Sequence, residues 1–144
     1  MQLYLGCDVP KYMERFIHFA CEELGLNYLR GDISVYVSRR LDEESFGLCW
    51  GDRSEAEIHI ANTQWGESIS REDKLKTLAH ELTHAYQYLT GALKCDISSD
   101  VFKSTWHKKV YRYLPEEEAD LPWEIEARKQ EERIYKKWVS RGYK

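Results

Sequence analysis

Between Asp8 and Gly25 the apolar residues Tyr12, Phe16, Phe19 or Ala20, and Leu24 recur at helical spacing. The run predicts an amphipathic first helix that opens near Pro10 and stops at Gly25. From Gly31 the period shortens, because Ile33, Val35 and Val37 alternate with Ser34, Tyr36 and Ser38 as in a half-buried strand. A second short strand is expected over residues 46–50. After a Gly51-Asp52 turn, Ala56, Ile58 and Ile60 alternate with Glu57, His59 and Ala61 and predict a third. One helix followed by these strands points to a small antiparallel or mixed sheet.

At Ser70 the helical rhythm returns. Ser70-Arg71-Glu72-Asp73 has the form of a capping box, with the Ser70 hydroxyl able to satisfy an early backbone N–H. Leu75, Leu78, Leu82, Ala85 and Leu89 then keep one face apolar until Gly91 supplies a left-handed stop. At about 100° per residue from Leu75, His80 falls near 140° and His84 near 180°, off the stripe that spans roughly 280° to 360°. Two histidines stacked one turn apart on the face opposite the core need an explanation other than packing. His18, in the first helix, has no partner at a matching spacing and reads as a surface or boundary residue.

Beyond Gly91 the pattern is mixed, with a short hairpin expected over 101–113 and an acidic loop over 116–120. Pro122 then stands in the first turn of a final helix whose apolar face is Trp123, Ala127, Ile134 and Trp138. The 144 residues suit one domain, 1–144, of the α+β class: a small sheet on a central helix, between N-terminal and C-terminal helices.

Composition narrows the setting. With 42% hydrophobic and 32% charged residues the chain is globular, and no apolar run approaches the roughly 20 residues needed to span a bilayer. The first residues lack the build of a secretory signal, so a cytoplasmic location is expected. The four cysteines (Cys7, Cys21, Cys49, Cys95) are scattered without a C-x-x-C pair and are expected to be reduced and mostly buried. A net charge of −4 disfavours nucleic acid as a partner, despite the basic and aromatic residues of 103–113, and a monomer is favoured.

His80-Glu81-Leu82-Thr83-His84 is H-E-x-x-H on a helix, the spacing at which two imidazoles meet one zinc ion with a carboxylate beside it. A catalytic zinc needs a third protein ligand and an open position. A metzincin would carry Gly at 87 and His at 90, where this chain has Gln87 and Thr90, so that class is excluded. Carboxylates of the last helix are the remaining candidates. Helical phase does not separate Glu124 from Glu126, which flank the apolar stripe on opposite sides.

The motif together with E-x-x-A on a later helix resembles the gluzincin-type metallopeptidases, especially the small ImmA-like and SprT-like forms of bacteria and their phages. The likeness covers Glu55 to Lys129. It implies a zincin-like fold, a Zn2+ cofactor, a peptide or protein substrate, and peptide-bond hydrolysis. Glu124, three residues before Ala127, maps onto the third ligand, with Glu126 as alternative. Two departures matter. Several gluzincins place an aspartate four residues after the ligand glutamate, where this chain has Arg128, so another carboxylate or a backbone carbonyl must orient the histidines. SprT-like peptidases usually use a third histidine, and His107 is the residue available for that role. The resemblance also makes the strand over 56–62 a sheet edge that pairs with extended substrate.

In such a site Glu81 is the general base, taking the proton of a zinc-activated water and passing it to the leaving amine. Tyr111, Tyr113 and His107 are candidates for stabilising the oxyanion. The competing reading is a zinc-stabilised interaction module without turnover, in which the ion only holds the last helix against the central one. A third is a latent enzyme whose cleft is filled by the segment of Cys7 or by residues 138–144.

Overall fold

The computed structural model describes residues 1–96 and 102–142. Its first layer is a mixed sheet of β1 (Gln2–Leu5), β2 (Asp32–Ser38), β3 (Gly47–Gly51) and β4 (Glu55–Ala61), in the order β1-β2-β4-β3. β1, β2 and β4 run parallel, in a register that sets Leu3 beside Ile33 and Ile33 beside Ala56, while β3 runs antiparallel to β4. The alternation seen in the sequence becomes two faces. Ile33, Val35, Ile58 and Ile60 are buried on the inner one, and Tyr36 is exposed on the other.

Three helices form the second layer: α1 (Lys11–Leu24), α2 (Arg71–Leu89) and α3 (Pro122–Ser140). α1 starts after Pro10 and ends at Gly25, whose φ of 73° an L side chain would resist. α2 opens on Ser70, whose hydroxyl accepts from the Asp73 N–H. Its stripe of Leu75, Leu78, Leu82, Ala85 and Leu89 is buried against the sheet together with Met13, Phe16 and Ile17 of α1. α3 closes the core through Ile134 and Trp138, the indole meeting Phe16 edge-on at 5.2 Å.

A separate antiparallel sheet, β7 (Leu93–Asp96), β8 (Phe102–Trp106) and β9 (Lys109–Tyr113), stands beside this core, after a small hairpin of β5 (Thr63–Gln64) and β6 (Glu67–Ser68). Leu93, Tyr113, Leu121 and Trp123 pack there with Tyr88 of α2 into a second apolar cluster. A short 3-10 segment, Pro115–Asp120, leads from β9 into α3.

The expected hairpin is β8–β9, turned at His107 and Lys108 with φ of 47° and 71°. Val101, the first residue of that expectation, lies outside the described residues. β1 and β7 have no counterpart in the sequence reading. β1 is four residues long, too short to establish a period, and is held by parallel pairing to β2.

Two expectations fail. The strand over 56–62 is not an edge, because β4 is paired on both sides by β2 and β3, and the edge beside α2 is β3. The cysteines are free as expected, but only Cys21 is buried; Cys49 is half-buried, and Cys7 and Cys95 are exposed. Among the described residues no helix is long and apolar enough to cross a membrane.

Candidate metal centre

The face of α2 opposite its core stripe lies against the first turns of α3. This contact brings His80, His84 and Glu124 together, with one ligand atom from each lying within 4.8 Å of the others. Glu124 sits between the imidazoles, with Oε2 3.0 Å from His80 Nε2 and Oε1 3.0 Å from His84 Nε2. Trp123 and Ala127, buried on the apolar face of α3, hold that helix in the phase that turns Glu124 inward. Two imidazole nitrogens and one carboxylate suit a tetrahedral zinc site with a position left open.

The far nitrogen of each ring is engaged as well. His80 Nδ1 lies 3.1 Å from Glu131 Oε1, and His84 Nδ1 lies 2.7 Å from Gln87 Oε1. Gln87 is fully buried, and its amide nitrogen donates to Trp123 O and Glu126 Oε1, both at 3.0 Å. The amide oxygen must therefore accept from His84 Nδ1–H, and Glu131 accepts from His80 in the same way. Both rings thus present Nε2 to the centre.

Charge follows from this geometry. Burial opposes the proton on His80, but the hydrogen bonds with Glu124 and Glu131 and the charge of Glu81 outweigh it, raising its pKa to about 10. His84 is also raised: burial opposes the proton, and Glu124 and Glu81 favour it more strongly. Glu124 moves far down. Burial disfavours its charge, but the hydrogen bonds from the two histidines prevail. Glu81, only 7% exposed, is pushed up by burial and pulled back in part by the two histidines. In the metal-free protein the three donors hold one another as ion pairs.

Glu81, the histidines and Glu124 all line one cavity of about 600 Å³. β3 forms one wall, and Tyr88, Leu93, Tyr113 and Trp123 form another. Gly47 lets β3 run hard against α2. A Cβ there would stand 2.5 Å from Thr77 Cγ2 and 3.2 Å from Glu81 Cγ.

The other residues singled out in the sequence are placed apart. Glu126 supports Gln87 and is no member of the donor group. His107 sits exposed at the tip of the β8–β9 hairpin, and Tyr111 packs edge-on against Trp123 at 5.5 Å outside the cavity lining. Tyr113 does line it, its hydroxyl 3.0 Å from Ser104 Oγ. Arg128 donates to Ala119 O. His18 is exposed, and Cys7 is absent from the lining.

Gln87, Glu131 and Glu118 escaped the sequence reading. Glu131 follows Glu124 by seven residues, about two helical turns, which places both on one side of α3. Gln87 follows His84 by three, a neighbouring position on α2. Either spacing could have been used. Glu118, which also lines the cavity, lies in an acidic run with no period to orient it.

A helix bearing H-E-x-x-H against a mixed sheet, completed by a carboxylate from a later helix, defines a metallopeptidase-like domain of the zincin-like α+β type. The family model that matches narrows this further: the chain belongs to the SprT-like family, over residues 13–120. No curated protein matches the chain, and no solved structure does. The family match ends before Glu124, so the third donor comes from a helix beyond the matched segment.

Proposed function

We propose that this protein is a zinc-dependent peptidase, with His80, His84 and Glu124 as the metal ligands and Glu81 as the general base. The observation that supports it most is the placement of a buried Glu81 in the same cavity as the three converging donors. When bound, zinc supplies Lewis acidity toward a carbonyl and brings the pKa of a water toward neutrality. Glu81 takes the proton of the attacking water and returns it to the leaving amine, and burial, which raises its pKa, makes it a stronger base than an exposed carboxylate. Of the three candidates for donating to a developing oxyanion, Tyr113 lines the cavity, whereas Tyr111 and His107 do not.

β3 takes over the role first assigned to the strand over 56–62. Among the described residues it pairs with β4 alone, so its outer edge offers backbone donors and acceptors to an extended peptide. The test is Glu81→Gln in the zinc-loaded protein. Peptide cleavage should be lost while zinc content stays at the parent level. Unchanged cleavage would remove Glu81 from its role, and absence of cleavage by the parent across a broad peptide library would favour the zinc-stabilised interaction module.

A further inference from the structure

Alternate side chains of the central sheet stand on the face turned away from α2, and there three rings follow one another across the strands. Between ring centres, Tyr36 of β2 lies 5.2 Å from His59 of β4, and His59 lies 4.9 Å from Trp50 of β3 with the planes 15° apart. Because β4 separates β2 from β3, the rings form one row that runs from β2 to the edge of the sheet. These steps match the spacing of paired strands, about 4.8 Å. Trp50 ends the row half exposed, with one face of the indole on His59 and the other turned toward the side of β3 that no described strand pairs.

Every residue of β3 borders the cavity of the metal centre, the outward Leu48 and Trp50 as well as the inward Gly47, Cys49 and Gly51. The cavity therefore follows the open edge of the strand and reaches both of its faces. A peptide paired along that edge sets alternate side chains inward and outward, and the outward ones stand beside Leu48 and Trp50, one strand spacing farther out.

We infer that Trp50 is a specificity-determining residue, which selects an extended peptide carrying an aromatic side chain at the outward position beside the indole. That side chain becomes the fourth ring of the row. The inference rests on the peptidase reading for the peptide and its pairing along β3, but it concerns binding and can be measured apart from turnover. An aromatic ring is favoured over an aliphatic chain there because the free face of the indole is flat and already held in plane by His59. Since Trp50 projects from the face opposite α2, it takes no part in the chemistry and acts through binding alone.

The test measures binding of short fluorescent peptides to zinc-loaded Glu81→Gln protein by anisotropy. The peptides share length, charge and a serine/threonine background, and differ in carrying phenylalanine or leucine at the varied position. The phenylalanine peptide should bind about fivefold more tightly than the leucine one. Adding Trp50→Leu should remove that advantage and leave the leucine peptide bound as before, whereas Trp50→Phe, which keeps a ring at the edge, should retain it. Trp65→Leu, at the exposed tip between β5 and β6, should retain it too. Equal binding of the two peptides overturns the inference, and so does an aromatic preference that survives Trp50→Leu, which would place the ring on another wall of the cavity. A dimer seen by sedimentation that Trp50→Leu dissolves, in place of any peptide preference, would give the edge to a second copy of the chain and overturn it as well. Aromatic peptides that bind through Trp50 but are never cut by the parent protein would instead refute the peptidase reading and leave this one standing.

Discussion

Glu131 Oε1 accepts from His80 Nδ1 at 3.1 Å, which leaves His80 Nε2 no direction but toward Glu124. A ring held in this way loses less orientational freedom when an ion arrives, and the carboxylate makes the imidazole a better donor. Glu131→Ala should therefore weaken zinc binding by about 10- to 100-fold, read by chelator competition. Glu132→Ala, on the exposed neighbour that reaches Lys76, should leave affinity at the parent value.

Gln87 performs the matching task for His84 and also ties α2 to α3 through Trp123 O and Glu126. Gln87→Leu keeps much of the volume but strands several buried polar groups at once. The expected cost is about 3 kcal/mol in urea unfolding. Zinc affinity should fall about tenfold with it.

Metal uptake should release protons. In the metal-free protein His80 keeps its proton at neutral pH, since its pKa stands at about 10, and His84 is shifted the same way. Zinc needs both rings neutral, so affinity should rise with pH, and the release seen by calorimetry in buffers of different ionisation enthalpy should shrink as pH passes His80's value. The sign for stability without metal is the reverse. A raised histidine pKa contributes stability that is complete below its ordinary 6.5 and fades as pH rises through about 10. The lowered pKa of Glu124 contributes above the ordinary carboxylate range and fades as acid protonates it. Metal-free protein should thus unfold more readily at both extremes, and a flat urea midpoint across that span would contradict the ion-paired centre.

Gly47→Ala should disturb the cleft and spare the metal. The added methyl meets Thr77 Cγ2 at 2.5 Å, so β3 or α2 must shift, at about 1–3 kcal/mol. His80, His84 and Glu124 lie on the helices, and zinc stoichiometry should hold. Combining it with Thr77→Ser, which removes the clashing carbon, should restore most of the lost stability. If Gly47→Ala alone unfolds at the parent urea concentration, the close approach does not constrain the strand.

What the sequence made legible were the elements with long periods. α1, α2, α3, β2 and β4 each repeat an apolar position often enough to fix the buried face, and the off-stripe phase of His80 and His84 pointed to the centre before any fold was known. The order of strands was not legible. β3 lies between β2 and β4 in the chain but outside β4 in the sheet, and no local pattern encodes that exchange. It moved the edge from the strand over 56–62 to β3. Glu124 and Glu126 had the same standing by phase, and the seating of α3 through buried Trp123 and Ala127, a tertiary property, separates them. The partners of the rings, Glu131 and Gln87, were hidden because their spacings gain meaning only once α2 and α3 are known to touch.

The family match stops at residue 120, while the third donor stands at Glu124 on a helix that Ile134 and Trp138 anchor in the main core. A polypeptide cut after Asp120 would retain the whole H-E-x-x-H helix and still own only two donors. Assembly of the three-donor group therefore depends on the docking of α3: a nascent or partly unravelled chain carries the motif without its third donor, and an ion bound by all three would latch the helix that completes the group.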